Sequence, residues 1–219
     1  MKQFKTIALV CAIVVVSAFD AMAQGAPTVQ PDPKYIAKAR ADSATYPYTK
    51  ADIDFMTGMI AHHAQAIRMS KLAPSNGASG SVLTLASRII NAQTDEIVLM
   101  QRWLSDRNQA VPNASATGMK MMMGGMEHEM LMPGMLTEEQ MTQLSGARGT
   151  EFDRLFLTGM IQHHKGAVSM VKTLFDTYGA GQDELVFKFA SDVNVDQTTE
   201  IARMQQMLGY LTILGHVPN

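Results

Sequence analysis

Cysteine is all but missing from this 219-residue chain, and its one thiol, Cys11, sits inside an amino-terminal apolar run from Ile7 to Phe19. Lys2 and Lys5 precede the run, and Ala21-Met22-Ala23 follows it. That is the layout of a secretory signal peptide over residues 1–23, cleaved after Ala23. The run is short for a permanent membrane span, although an uncleaved anchor is the alternative. Val10, bulky where a lipoprotein signal wants a small residue, argues against lipidation at Cys11. The working chain, from about Gln24, is therefore expected to contain no thiol. Disulfides, thiolate zinc sites and a cysteine nucleophile are excluded together.

An excess of charge is also lacking. Eighteen basic and 20 acidic side chains give a formal charge of −2, and the loss of Lys2, Lys5 and Asp20 with the leader makes it −3. Nothing in that balance suits nucleic acid. Aromatic residues are few, with 8 Phe, 5 Tyr and 1 Trp against 19 Met, so methionine does more here than fill gaps. What remains after cleavage is enough for one good core.

An internal repeat organises that remainder. Residues 55–69 align without a gap to residues 156–170, and nine of the fifteen positions are identical: Phe55/Phe156, Thr57/Thr158, Gly58/Gly159, Met59/Met160, Ile60/Ile161, His62/His163, His63/His164, Ala66/Ala167 and Met69/Met170. About thirty residues on, Gln93-Thr94-Asp95-Glu96-Ile97-Val98-Leu99-Met100 matches Gln197-Thr198-Thr199-Glu200-Ile201-Ala202-Arg203-Met204. Period and end signals make every part helical, with Thr49 and Thr150 near the start of the first helix of each copy and Pro74 and Gly179 just past its end. The spacing predicts helices near 50–73, 80–107, 147–178 and 182–213. A short leading helix is expected around 33–43, within an amino-terminal segment 24–49. Thr137-Glu138-Glu139-Gln140 has the spacing of a capping box and predicts a further short helix. Two hairpins, residues 50–107 and 147–213, joined by a crossover over 108–146, pack most simply as an all-α four-helix bundle forming one compact domain.

On the first helix, Phe55, Met59, His62, Ala66 and Met69 share one stripe, and Met56, Ile60, His63 and Ile67 share the next. The second copy places Met160, His163 and Met170 on one stripe and His164 on its neighbour, while Arg154, Thr158, Gln162, Lys165 and Lys172 face the other way. A lone histidine on an apolar face is usually a core residue held by a hydrogen bond. Four of them, each pair with Met three residues before and Met six or seven after, read instead as imidazole and thioether ligands for a metal. Met100 and Met204 on the partner helices join the candidate ligands. Gln93, Glu96, Gln197 and Glu200 point inward beside them, and the glutamates suit the outer N–H of a ligating imidazole. Direct ligation by glutamate is the less favoured alternative.

Thioether and imidazole without thiolate favour Cu(I) and also Ag(I), while Cu(II) could use the histidines alone. A di-iron site of the bundle type would need Glu-x-x-His on two helices, and Glu96 and Glu200 are followed at that place by Leu99 and Arg203. The crossover adds a second signal, with Met119, Met121, Met122, Met123, Met126, Met130, Met132 and Met135 inside seventeen residues, together with His128. Gly118, Gly124, Gly125, Pro133 and Gly134 break it too often for one long buried helix. A flexible loop that gathers metal loosely accounts for this composition, the alternative being an adaptable core or surface.

The pattern Phe55, Met59, Ile60, His62, His63, Ala66, Ile67 and Met69, then Gln93, Glu96, Ile97, Met100, Trp103 and Leu104, resembles the repeat of a family of secreted bacterial ferritin-like proteins known as a domain of unknown function, which includes CopM-type periplasmic copper-binding proteins. The second copy keeps Phe156, Met160, Ile161, His163, His164, Ala167, Val168 and Met170, then Gln197, Glu200, Ile201, Met204 and Leu208. The resemblance implies a ferritin-like four-helix bundle and copper tolerance through periplasmic sequestration or hand-over. The chain is accordingly expected to be a non-enzymatic periplasmic protein whose partners are metal ions and a copper exporter or periplasmic carrier. A partner-binding bundle with merely structural histidines, or a redox-metal enzyme, are the competing readings. Met207 in place of the tryptophan, and Lys165-Gly166 where the first copy has Ala64-Gln65, mark the two halves as non-equivalent.

Overall fold

In the computed structural model the described residues are 34, 48–114, 119–123 and 126–218. Contacts divide the chain into Met1–Lys38, of which Lys34 alone is described, and Ala39–Asn219, which holds everything below. The signal peptide and, Lys34 aside, the leading helix expected near 33–43 lie outside the described residues.

Four long helices form the bundle: α1 (Lys50–Ser70), α2 (Gly80–Asp106), α4 (Gly149–Asp176) and α5 (Glu184–Leu214). The fold is all-α in architecture, and each helix ends within a few residues of its predicted span. A short helix α3 (Glu138–Gly146) opens at Thr137 with the expected capping box, in which Thr137 and Gln140 exchange bonds. Thr49 caps α1 in the same way with Asp52. Thr150 does not cap: α4 begins after Arg148, whose side chain makes no cap bond, so Thr150 falls inside the first turn. The leading N–H of α4 is met from the other hairpin, Gly149 donating to the Asn76 carbonyl at 2.9 Å.

The crossover departs from a plain loop. Residues Met119–Met123 and Met126–Met130 form strands β1 and β2, an antiparallel ribbon whose backbone alone is described. Alternate rungs set Met119 opposite Met130, Met121 opposite His128 and Met123 opposite Met126. β1 runs beside α1. The sequence carried a signal for this ribbon: two five-residue runs separated by Gly124-Gly125 have the spacing of a two-residue hairpin.

α1 pairs with α2 and α4 with α5, and the hairpins meet mainly through α1 against α4. Two buried carboxylates pin that junction. Asp52, in the first turn of α1, accepts from Gly181 N at 2.7 Å in the turn of the second hairpin. Asp153, at the start of the second turn of α4, accepts from Ser79 N at 3.2 Å in the turn of the first. Those turns share a left-handed glycine, Gly77 and Gly181, each at φ +68°, a conformation that glycine adopts without steric cost. Trp103 donates to Asp183, which caps α5. Ser79, at the same place before α2, offers no carboxylate to an indole, and the residue equivalent to the tryptophan is Met207.

Apolar packing falls into two clusters. One contains Ala66, Met69, Leu85, Ile89, Phe152, Phe156, Met160 and Met204, and the other Phe55, Met59, Ile60, Met100, Trp103, Ala167, Val171 and Phe189. Each draws on all four helices. Between them every helix changes character, at His62 and His63 on α1, Gln93 and Glu96 on α2, His163 and His164 on α4, and Gln197 and Glu200 on α5. The bundle is thus two apolar cores separated by one polar layer.

Candidate metal centre

All four histidines of the layer are fully buried. The inner pair, His62 and His163, lie with ring centroids 3.7 Å apart. His62 Nε2 donates to the Pro133 carbonyl at 3.0 Å, and His163 Nε2 to the His62 carbonyl at 2.9 Å. The outer pair turn toward α2 and α5. His164 Nε2 donates to Glu200 Oε2 at 2.7 Å, whereas His63 Nε2 lies 2.8 Å from Glu96 Oε2 at an angle that makes no proper hydrogen bond. These are the glutamate contacts expected from the sequence.

A carbonyl can only accept, so the nitrogen facing it carries the proton. The same holds for a carboxylate, so in their neutral form the rings of His62, His163 and His164 are Nε2–H tautomers with a lone pair on Nδ1. Nδ1 of all four histidines is buried and has no hydrogen-bond partner. Buried polar atoms are normally satisfied, so four matching orphans in one layer are a chemical statement: His62, His163 and His164 each offer a free lone pair at Nδ1, and His63 leaves both ring nitrogens unpaired. Burial pushes His62 down to about 3, the positive charge that His63 would carry adds to the fall, and the bond to Pro133 opposes it. Burial, then His62 and the other two histidines, hold His163 well below its ordinary value. Both inner rings thus stay neutral, and able to ligate, in mildly acidic solution.

Thioethers stand on both sides of the layer, grouped across helices rather than along one. Met69 packs in the cluster of Met160 and Met204, its Cε 3.2 Å from where a Cβ on Gly159 would stand. Half-buried Met170 packs against the cluster of Met59 and Met100, 3.5 Å from the same point on Gly58. Each histidine helix therefore sends its later methionine to the other's glycine. Sequence spacing along one helix could not reveal this exchange.

The end of the crossover, residues 132–136, is strapped onto the layer. Gln65 bonds Leu136 through both amide atoms, at 2.8 and 2.7 Å, and Gln162 reaches the Gly134 and Met135 carbonyls. Gly134 takes φ +79°, and a Cβ on Gly166 would stand 1.8 Å from the Pro133 oxygen. The strap can lie here because residue 166 has no side chain. Met132 and Met135 are buried under it, and Met132 Sδ comes within 2.9 Å of a Cβ position on Gly58. The differences Gln65/Gly166 between the halves are thus the two sides of one dock. Asp52, Asp153 and the strap were missed from sequence, although the equivalent spacing of Asp52-x-x-Phe55 and Asp153-x-x-Phe156 signalled the first two.

Of the remaining candidate ligands, the side chains of Met119, Met121, Met122, Met123, Met126, His128 and Met130 lie outside the described part of the structure. Among the described residues no three of His, Cys, Asp and Glu form a ready-made metal cluster.

The family described as Domain of unknown function (DUF305) matches residues 52–208. A DUF305 protein of Streptomyces coelicolor described as secreted shares 25% identity over 77% of this chain and 96% of its own, with a TM-score of 0.60. A DUF305 fragment from Deinococcus radiodurans shares 26% over 75% and 99%, at 0.62. CopM in its Cu(I)-bound form shares 27% over 76% and 98%, at 0.55, and Cu(II)- and Ag-bound forms of CopM are similar as well. No curated protein matches the sequence.

Proposed function

Since this chain belongs to the DUF305 family, we propose that it is an exported, non-enzymatic copper-binding protein that buffers the metal in the periplasm and passes it to a copper exporter or periplasmic carrier. Its cargo is Cu(I) in the first place, with Ag(I) and Cu(II) also accepted. The observation that carries this reading is the set of four buried Nδ1 atoms without partners, in one layer between two methionine-containing cores. Neutral imidazole and thioether are the donors that Cu(I) and Ag(I) favour, and imidazole alone suits Cu(II). The likeness to CopM in its copper- and silver-bound forms supports the same cargo. The Met-rich ribbon serves capture: it lies beside α1 and leads directly into the strap over His62. No helix among the described residues is long and apolar enough to cross a membrane.

The decisive experiment replaces His62, His63, His163 and His164 together and titrates the mature protein with Cu(I), Cu(II) and Ag(I). Loss of the tight copper sites with helicity retained is expected; unchanged stoichiometry and affinity overturns the reading. One observation favours a structural role for half the set. His62 and His163 each tie down a backbone carbonyl and stack on one another. Replacing the inner and outer pairs separately distinguishes the roles, since a purely structural inner pair lowers stability and leaves copper on His63 and His164.

A further inference from the structure

A cleft of about 420 Å³ opens between α2 and α5, lined by Gln93, Glu96, Asp196, Gln197 and Glu200, with Arg88 the one cation among its described lining residues. Three features set it apart from an ordinary solvated groove. Glu96 and Glu200, each about a quarter exposed, touch the cleft on one side and the fully buried His63 and His164 on the other. The Oε1 atoms of Gln93 and Gln197 are buried without a hydrogen-bond partner, in side chains no more than 4% exposed. Finally, three carboxylates oppose one guanidinium.

An amide oxygen is a neutral acceptor, so two unpartnered ones beside carboxylates are a donor set for a positively charged, oxygen-seeking guest. At roughly 30 Å³ per water the cleft has room for an ion with its first hydration shell. Its described side chains make no closed cage, so it suits passage better than storage. Resting on the copper reading above, we propose that this cleft is the port through which hydrated Cu(II) reaches the outer histidines, held first by the carboxylate and amide oxygens of Glu96, Glu200, Gln93 and Gln197. Carboxylate and carbonyl oxygen are hard donors and imidazole an intermediate one. Cu(II) moving inward from Glu96 or Glu200 to His63 or His164 meets progressively softer donors, while Cu(I) has the methionine ribbon as its own approach. The two oxidation states then load by different routes.

The test is stopped-flow loading of the full mature chain with Cu(II), with the quadruple histidine variant as background. Asp196→Lys reverses a charge at the cleft without touching a histidine, and Thr199→Trp narrows the cleft from an exposed position. The first should slow Cu(II) association about tenfold at low ionic strength, with the difference shrinking as salt rises. The second should slow association and release together, and both should leave Cu(II) stoichiometry and the Cu(I) loading rate unchanged. If Cu(II) binds and both variants load within twofold of the parent, the port is wrong while the copper reading stands. If the parent binds neither Cu(I) nor Cu(II), that reading falls and the port with it.

Discussion

The two hairpins are copies that meet the crossover in different ways. In the first, Gln65 uses both ends of its amide to hold Leu136. In the second, the equivalent Gly166 has no side chain, and the Pro133 carbonyl occupies the space. One copy grips and the other yields. The histidines, the aspartates Asp52 and Asp153 and the turn glycines are kept in both, so the layer is nearly symmetric while its cover is not. The asymmetry decides which inner histidine meets the strap: His62 donates to Pro133, whereas His163 donates to the His62 carbonyl within the layer.

The most damaging way to erase the difference is to give the second copy a side chain. Gly166→Ala places a Cβ against backbone that cannot yield by rotation, so the strap must lift. The expected loss is about 3 kcal/mol, the order of the hydrogen bonds that hold the strap. Urea denaturation measures it. A stability within 0.5 kcal/mol, roughly the scatter of surface substitutions, would mean that the dock is looser than its distances imply.

A fall in pH acts on both copies without mutation. His62 is held near 3 in the folded chain against an ordinary value of 6.5. Between those values the unfolded chain takes up a proton that the folded chain refuses, so stability is full above about 6.5 and falls steadily as pH drops toward about 3. His163 adds a loss of the same sign. From His62 alone the decline is on the order of 3–5 kcal/mol. Thermal melts of the apo protein across this range, compared with His62→Gln, check the sign and the window. An apo protein equally stable at pH 4 and pH 7 would contradict the buried neutral ring.

The smallest effect is expected at the strap's outer edge. Arg68 on α1 pairs with Glu138 at 2.7 Å, but both side chains are largely exposed. Arg68→Ala should therefore cost at most about 1 kcal/mol, and less in high salt. A larger, salt-independent loss would show that this pair, rather than Gln65, anchors the strap.

The parts that could be read from sequence are those with a local signature. The histidines recur every 101 residues in matched surroundings, so the repeat gives the hairpins, and the helical period places His62, His63, His163 and His164 inside. The Thr137 capping box needs four adjacent residues and was equally plain. What escaped depends on chain segments far apart. Met69 and Met170 look like companions of their own histidines until the bundle sends each to the opposite helix. Gln65 and Gly166 were visible as a mismatch, but its meaning depends on residues 132–136, some seventy positions from one and thirty from the other. The ribbon's Gly-Gly spacing was open to view, outweighed by a methionine content that resembles no ordinary strand.

Asp52 reaching into the turn of the second hairpin, and Asp153 reaching back into the turn of the first, approaches the reciprocal pattern of a two-fold dimer, with bonds that end two positions apart in the two turns, on Gly181 and on Ser79. Each hairpin carries a surface complementary to its own copy, so half of this chain describes a protein that would pair with itself. In such a pair both members must be alike, and neither could exchange its glutamine for a glycine alone. Joining the halves in one chain is what allowed the two sides of the layer to be covered differently.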